Sequence, residues 1–134
     1  MKKTFVFAGL LIMLTLLGAC ATAQETAVLT VGGQEYSQSN LEALGTLSVD
    51  YTDKDGETTT YEGVLLSNVL NDAGVTGETV VFTASDGYEA EMPMADAMAC
   101  NNCIVAFDDG SLRMVMPEQS GKLQVKDVVE ISIN

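Results

Sequence analysis

Three Asp-Gly pairs constrain the fold more than any other feature of the sequence. They are Asp55-Gly56, Asp86-Gly87 and Asp109-Gly110, and each lies between two runs of strand-like composition. Asp-Gly favours tight hairpin turns because both positions accept positive φ angles. In "TLSVDYTDKDGETTTYEG" apolar or aromatic residues alternate with polar ones, which is the periodicity of a strand. The sequence therefore predicts three β-hairpins and a largely antiparallel architecture.

Short helices are predicted between these hairpins. "SQSNLEALG" begins with a serine that can cap a helix and ends at Gly45. In "VLLSNVLNDAGV" the apolar residues fall at helical spacing before Gly74, and "MADAMAC" forms a third short helix. "AVLTV" before a Gly-Gly turn and "VKDVVEISIN" at the end read as strands. The expected fold class is α+β: a compact, mainly antiparallel β domain with short helices against the sheet.

Residues 1–20 have the pattern of an export signal. Lys2 and Lys3 precede an apolar run from Phe5 to Leu17, and small residues lead to Cys20. The sequence "LGAC" resembles the lipobox of bacterial lipoproteins, which implies that Cys20 becomes the lipidated first residue. The alternative is ordinary cleavage after "ATA", residues 21–23. We expect a signal peptide (1–20), a short tether (21–26) and one domain (27–134), extracytoplasmic and held to the envelope membrane by lipid.

The charge balance excludes several function classes. The chain has 6 basic and 19 acidic residues and a net charge of -13. Without Lys2 and Lys3 the balance is 4 − 19 = −15. Such a surface repels phosphate backbones, so nucleic acid is not an expected partner. Histidine is absent, which removes the commonest general base and metal ligand, and with them most zinc enzymes and His-dependent triads.

Cys100 and Cys103 form a CxxC motif that allows several interpretations. A dithiol catalyst is disfavoured, because the predicted helix precedes the cysteines and a helix C-terminus opposes thiolate formation. Structural zinc would need two further ligands. Cu(I) could use these cysteines with nearby methionines, although alternating methionines are more often packing; the methionines are Met92, Met94, Met98, Met114 and Met116. The remaining interpretation is a local disulfide, or a pair of thiols in an anaerobic environment.

The acidic stretch "DYTDKDGE" resembles the beginning of an EF-hand loop, with acids at alternate positions and a glycine at the sixth. The twelfth position, which needs a bidentate glutamate, is Tyr61. The flanking runs read as strands, so an acidic hairpin turn without metal is the expected structure.

Three segments in order resemble the molybdopterin-binding oxidoreductase domain of the sulfite oxidase type. "YEGVLLSNVLNDAGV" is similar to its aromatic, Gly-Val and helix segment, and "TASDGYEAEMPMADAM" to its Ser-Asp-Gly-Tyr turn, strand and helix. "IVAFDDGSLRMVMPEQSGKLQVKDVVEISI" is similar to its Leu-Arg strand and final Val-Lys. The resemblance covers roughly residues 61–133 and implies that fold in a minimal, single-domain form.

The resemblance also implies a cofactor site, from which this chain departs. In the family a cysteine upstream of the "YEGVLL" segment holds molybdenum, and residues 21–63 contain none. The arginine and lysine that reach the pterin phosphate match Arg113 and Lys126, but Asp108 replaces the usual histidine and Asp127 an aromatic residue. As ordinary structural charges, Arg113 and Lys126 would be solvated or paired with acids such as Asp108 and Asp127. If Arg113 and Lys126 are a remnant of the family's cofactor pocket, they would bind an anion together with the turn residues Asp86, Gly87 and Tyr88. The alternative is that these three residues only form the turn.

These observations favour a membrane-anchored binding or interaction module that keeps the molybdopterin-domain fold, lacks the molybdenum cofactor and is not an enzyme. A protein partner at the membrane surface is expected. The first alternative is a redox or electron-transfer subunit with a molybdopterin-type cofactor, and therefore a molybdopterin-dependent oxidoreductase. The second is a Cu(I)-binding lipoprotein that uses Cys100 and Cys103.

Overall fold

The computed structural model describes residues 26–134, so the predicted signal peptide, Cys20 and most of the tether lie outside the described residues. The strands are β1 (Leu29–Val31), β2 (Gln34–Tyr36), β3 (Leu47–Thr52), β4 (Thr58–Leu65), β5 (Thr79–Ala84), β6 (Glu89–Pro93), β7 (Ile104–Asp108), β8 (Ser111–Val115) and β9 (Val128–Ile133). The helices are α1 (Gln38–Glu42), α2 (Leu66–Ala73), α3 (Met94–Ala99) and a 3₁₀ helix (Gly121–Leu123).

The strands form two sheets. One has five strands in the order β2-β1-β9-β5-β6, and the other has four in the order β3-β4-β7-β8. Every pair of neighbouring strands is antiparallel except β1 and β9. The predicted α+β, mainly antiparallel fold class is thus confirmed.

The three predicted hairpins are present at the three Asp-Gly pairs. They join β3 to β4, β5 to β6 and β7 to β8, and in each the strands pair directly across the turn. The turn glycines Gly56, Gly87 and Gly110 have φ angles of 83°, 90° and 83°. At these angles glycine avoids the steric penalty that a Cβ would bring.

The helices begin and end close to the predicted signals. Ser37 caps α1 by accepting a hydrogen bond from the N–H of Asn40, whose side chain accepts in turn from Ser37 N–H. Helix α1 ends at Glu42, before the predicted stop at Gly45. Helix α2 ends at Gly74, which adopts the left-handed conformation with φ 65°. Strand β2 was not predicted, because its three residues are too few to show a period.

The main apolar core joins both sheets and all three helices. Leu41 of α1, Leu66 of α2 and Ala97 of α3 all have 0% of their surface exposed, as has Phe82 of β5. A second, smaller cluster consists of Val49, Ile104, Ala106 and Val115, all from the four-stranded sheet. Because Val105 belongs to the main core and Ile104 to the small cluster, β7 is buried on both faces.

None of the helices formed by residues 26–134 is long and apolar enough to span a bilayer.

Candidate functional site

Arg113 is the central residue of the candidate site. It lies on β8 with only 8% of its surface exposed. Its Nη1 donates a hydrogen bond to the Tyr61 hydroxyl at 2.9 Å, and its guanidinium carbon lies 4.7 Å from the centroid of the Tyr61 ring. Its Nε has no hydrogen-bond partner among the described residues. Burying an unsatisfied donor on a charged group is costly, which makes Arg113 a candidate for ligand binding.

Neither ordinary role predicted for Arg113 fits its surroundings. It is not solvated, since nine-tenths of its surface is buried. It is not paired with the acids named above: the Asp127 carboxylate accepts a hydrogen bond from the Ser85 hydroxyl instead. Among residues 26–134 no carboxylate oxygen lies within 4.0 Å of the guanidinium. Those two expectations are therefore wrong for Arg113, because its guanidinium is buried against Tyr61.

A cavity of about 430 Å³ brings Arg113 and Lys126 together, as the sequence suggested. The two residues also form an isolated antiparallel bridge between β8 and the segment before β9. Of the four basic residues in the described part of the chain, only Lys122 is outside this cavity. The lining residues are Tyr51, Asp53, Lys54, Glu57, Thr59, Tyr61, Arg113, Gly121, Gln124 and Lys126. Three of the domain's few cations therefore meet at one place.

The charged groups of the cavity do not neutralise one another. Asp53 and Glu57 add two carboxylates to the three cations, yet no ion pair forms among these residues within the described chain. Lys54, Lys126 and Glu57 are exposed, whereas Arg113 is buried. The carboxylates and cations thus remain available to a ligand.

The turn Asp86, Gly87 and Tyr88 does not line this cavity. Its Asp86 Oδ1 accepts a hydrogen bond from Tyr88 N–H at 2.9 Å, and Gly87 has positive φ, as the turn requires. The Tyr88 hydroxyl donates to the Lys122 carbonyl at 3.0 Å, and its ring lines a separate cavity. The structure therefore places these three residues apart from Arg113 and Lys126. A role for them in ligand binding stays a prediction.

Cys100 and Cys103 are joined in a disulfide. Cys103 is fully buried, and Cys100 lines a cavity that shares no lining residue with the Arg113 cavity. Met92, Met114 and Met116 pack into the main core, and no group of three or more His, Cys, Asp or Glu among the described residues could hold a metal. Cu(I) binding would therefore need the disulfide to be reduced.

Residues 11–134 match the family model described as the oxidoreductase molybdopterin binding domain. The chain belongs to this family. The sulfane dehydrogenase SoxCD from Paracoccus pantotrophus has the same fold, with a TM-score of 0.65 at 18% sequence identity. The match covers 78% of this chain and 37% of the SoxCD chain, so this chain spans well under half of that chain's length. No curated protein matches the sequence.

The residues that line the cavity could bind only one part of the family's cofactor. Arg113 and Lys126 supply the positive charge that a pterin phosphate needs. Molybdenum, however, would need the thiolate that the family resemblance implies. The described residues contain two cysteines; both are in the disulfide, and neither lines the cavity. The donor set of this molybdopterin-type domain therefore does not fit the metal.

The sequence analysis missed Tyr51, Tyr61 and Lys54 as site residues. The alternation of apolar and polar residues in β3 and β4 places both tyrosines on one face of the hairpin. This alternation is visible in the sequence. Their meeting with Arg113 depends on β7 pairing with both β4 and β8. No local pattern shows that order of strands.

Proposed function

We propose that this chain is a lipid-anchored, extracytoplasmic binding module that uses the molybdopterin-domain fold, without molybdenum and without catalysis, to bind a small anionic ligand at the Arg113 cavity. The observation that carries the proposal is the buried guanidinium, which has an unsatisfied Nε and no carboxylate partner among residues 26–134. A ligand carboxylate, sulfate or phosphate would offset the charge of the guanidinium.

The setting of Arg113 supports a ligand site over a structural role. Its cavity, at about 430 Å³, is within the range of roughly 300–1,000 Å³ typical of small-molecule sites. Lys126 and Lys54 add positive charge there, although the whole chain carries -13. A local positive site in an acidic domain attracts anions that the rest of the surface repels.

A redox or electron-transfer subunit with a molybdopterin-type cofactor is the second candidate. Membership of the family and the shared position of Arg113 and Lys126 favour it. The lack of a free thiol at the cavity argues against it, because both described cysteines are in the disulfide. Fold alone does not establish an activity, so the metal content decides between the candidates.

The anchor and the location rest on the sequence of residues 1–20. The basic start, the apolar run and "LGAC" support export and acylation of Cys20. Two or more acyl chains would hold the domain stably at a membrane surface. A protein partner at that surface is part of the proposal.

Two measurements on the mature protein, purified from its native envelope with thiols protected, test the proposal. We expect elemental analysis to give no stoichiometric molybdenum or copper; molybdenum would favour the second candidate instead. We expect sulfate and phosphate to bind in calorimetric titrations, and Arg113→Gln to weaken that binding at least tenfold. Lys122→Gln, which removes the one described cation outside the cavity, is the matched control for net charge. Equal losses in both variants would contradict a specific site.

A further inference from the structure

The strand register gives the Arg113 cavity two ends of different charge. Val49 pairs with Tyr61, and Tyr51 pairs with Thr59, so both tyrosines lie on the same face of the β3–β4 hairpin. Gly63 of β4 pairs with Ala106 of β7, which in turn pairs with Arg113 of β8. Arg113 is therefore level with Gly63, on the same face as the tyrosines and two residues farther from the hairpin turn than Tyr61. The guanidinium then reaches back to Tyr61. The hairpin turn, residues 53–57, lies at the opposite end.

The two ends carry opposite net charge. Arg113 and Lys126 give one end two positive charges. Asp53, Lys54 and Glu57 give the turn end two negative charges and one positive. Strand β4 rises about 3.3 Å per residue, so the four steps from Tyr61 to Glu57 span roughly 13 Å. The charged groups are carried on side chains that line one cavity, so a ligand need not span the whole of that distance.

The Asp53 carboxylate is held in place by the turn, and neither carboxylate at the turn forms an ion pair with a described cation. Asp53 Oδ1 accepts hydrogen bonds from the N–H groups of Asp55 and Glu57 at 2.9 and 3.0 Å, which leaves Oδ2 available. Neither Asp53 nor Glu57 forms an ion pair with any described cation. Between the two ends, the rings of Tyr51 and Tyr61 provide an apolar wall.

We infer that the Arg113 cavity binds an extended zwitterion, in which a carboxylate and an ammonium group are separated by a short apolar stem. The inference rests on the proposed function and names the ligand class of that site. The carboxylate pairs with Arg113, the stem packs along Tyr61 and Tyr51, and the ammonium group lies between Asp53 and Glu57. A simple anion would pair with Arg113 but leave both carboxylates unpaired, so it should bind less tightly than the zwitterion.

Calorimetry on the purified full-length mature protein at low ionic strength tests this with three matched probes. They are 6-aminohexanoate, its N-acetyl derivative, which keeps the carboxylate and stem but has no ammonium, and 6-aminohexanamide, which keeps the ammonium but has no carboxylate. We expect 6-aminohexanoate to bind at least tenfold more tightly than either analogue. Glu57→Gln should reduce the preference over the N-acetyl compound to threefold or less. Glu62→Gln, an exposed glutamate on β4 outside the cavity, should leave it unchanged.

The outcomes separate this inference from the proposed function. Equal affinity for 6-aminohexanoate and the N-acetyl compound, with both lost in Arg113→Gln, would overturn the zwitterion inference and keep the anion site. If the amide binds as tightly as the acid, or if no probe binds, the zwitterion inference is wrong and the sulfate and phosphate titrations decide on the proposed function: no binding of either anion would contradict that as well. Lys54→Gln gives a further test, because it removes the cation at the turn end. The variant should bind 6-aminohexanoate more tightly than the parent protein does, and should bind the N-acetyl compound no more tightly.

Discussion

The guanidinium of Arg113 and the ring of Tyr61 form a stacked, hydrogen-bonded pair across two strands that are not neighbours. Nη1 lies 2.9 Å from the tyrosine hydroxyl and the guanidinium carbon 4.7 Å from the ring centroid. Strand β7 separates the strands that carry them. The orientation of the buried cation therefore depends on a residue 52 positions earlier in the chain.

Tyr61→Phe should lower the free energy of unfolding by about 1.5–3 kcal/mol, the usual range for a hydrogen bond to a charged group. The ring remains, so the loss reports on the hydroxyl that accepts from Arg113. Urea unfolding measures it. Tyr51→Phe is the control, because Tyr51 lines the same cavity and its hydroxyl forms no hydrogen bond with the described residues. Equal effects of the two variants would show that the bond to Arg113 does not stabilise the fold.

Arg113→Met, unlike Tyr61→Phe, should not lower the stability of the domain. It removes a buried charge that no carboxylate among residues 26–134 offsets, so the free energy of unfolding should stay unchanged or rise by about 1 kcal/mol. Binding of 6-aminohexanoate should fall at least tenfold in the same protein. A loss of more than about 2 kcal/mol in urea unfolding would mean that Arg113 is a structural residue. The double variant Arg113→Met, Tyr61→Phe should be non-additive, since the two side chains are in contact.

Tyr36 should make stability depend on pH in the alkaline range. Its burial, and the hydrogen bond from its hydroxyl to Asp72 at 2.7 Å, raise its pKa from 10.0 to about 12. The folded pKa is above the unfolded value, so the contribution is complete below pH 10 and is lost as the pH rises from 10 to 12. Denaturant unfolding at several pH values should show a flatter profile for Tyr36→Phe across that window. Parallel profiles for the two proteins would contradict the prediction.

The Cys100–Cys103 disulfide should contribute little to stability. The cysteines are separated by 3 in sequence, so the bond restricts the unfolded chain less than the longer loops that give about 2–4 kcal/mol. The double variant Cys100→Ala, Cys103→Ala should lose less than about 2 kcal/mol in urea unfolding. A reductant should shift the unfolding midpoint of the parent protein and have no effect on the variant. A decrease of 4 kcal/mol or more in the free energy of unfolding would show that the disulfide stabilises parts of the fold outside the loop that it closes.

Gly63→Ala should destabilise the four-stranded sheet. A Cβ at this position would clash with the Val105 carbonyl oxygen and lie 2.6 Å from Ala106 Cα, both of them backbone atoms of β7. Such overpacking costs about 1–3 kcal/mol or more because backbone cannot yield cheaply. Gly121→Ala is the control, since a Cβ there meets no atom within 4 Å. Thermal unfolding of both variants measures the difference, and equal melting temperatures would contradict the predicted clash.

Local signals predicted most elements of the fold but not their long-range pairing. The three Asp-Gly hairpins and the end of α2 at Gly74 depend on neighbouring residues, and sequence patterns record such preferences. The parallel pairing of β1 with β9 joins residues about a hundred positions apart. A three-residue strand has too little pattern to indicate its partner.

The site was predictable only in part for the same reason. Arg113 and Lys126 were identified through the family resemblance, and they do share a cavity. The burial of Arg113 was not expected, because a charged residue in an alternating strand is normally solvated. Tyr61 could be placed on one face of its hairpin from the sequence. Its contact with Arg113 follows from β7 lying between β4 and β8.

The position of β9 has a consequence for when the domain can fold. Residues 128–133 lie in the middle of the five-stranded sheet, between β1 and β5. A nascent chain without them has two separate strand pairs, β1 with β2 and β5 with β6, and isolated pairs of this kind are at best marginally stable. The sheet therefore cannot close until residues 128–133 have been synthesised, so the last strand of the chain sets the earliest moment at which the domain can fold.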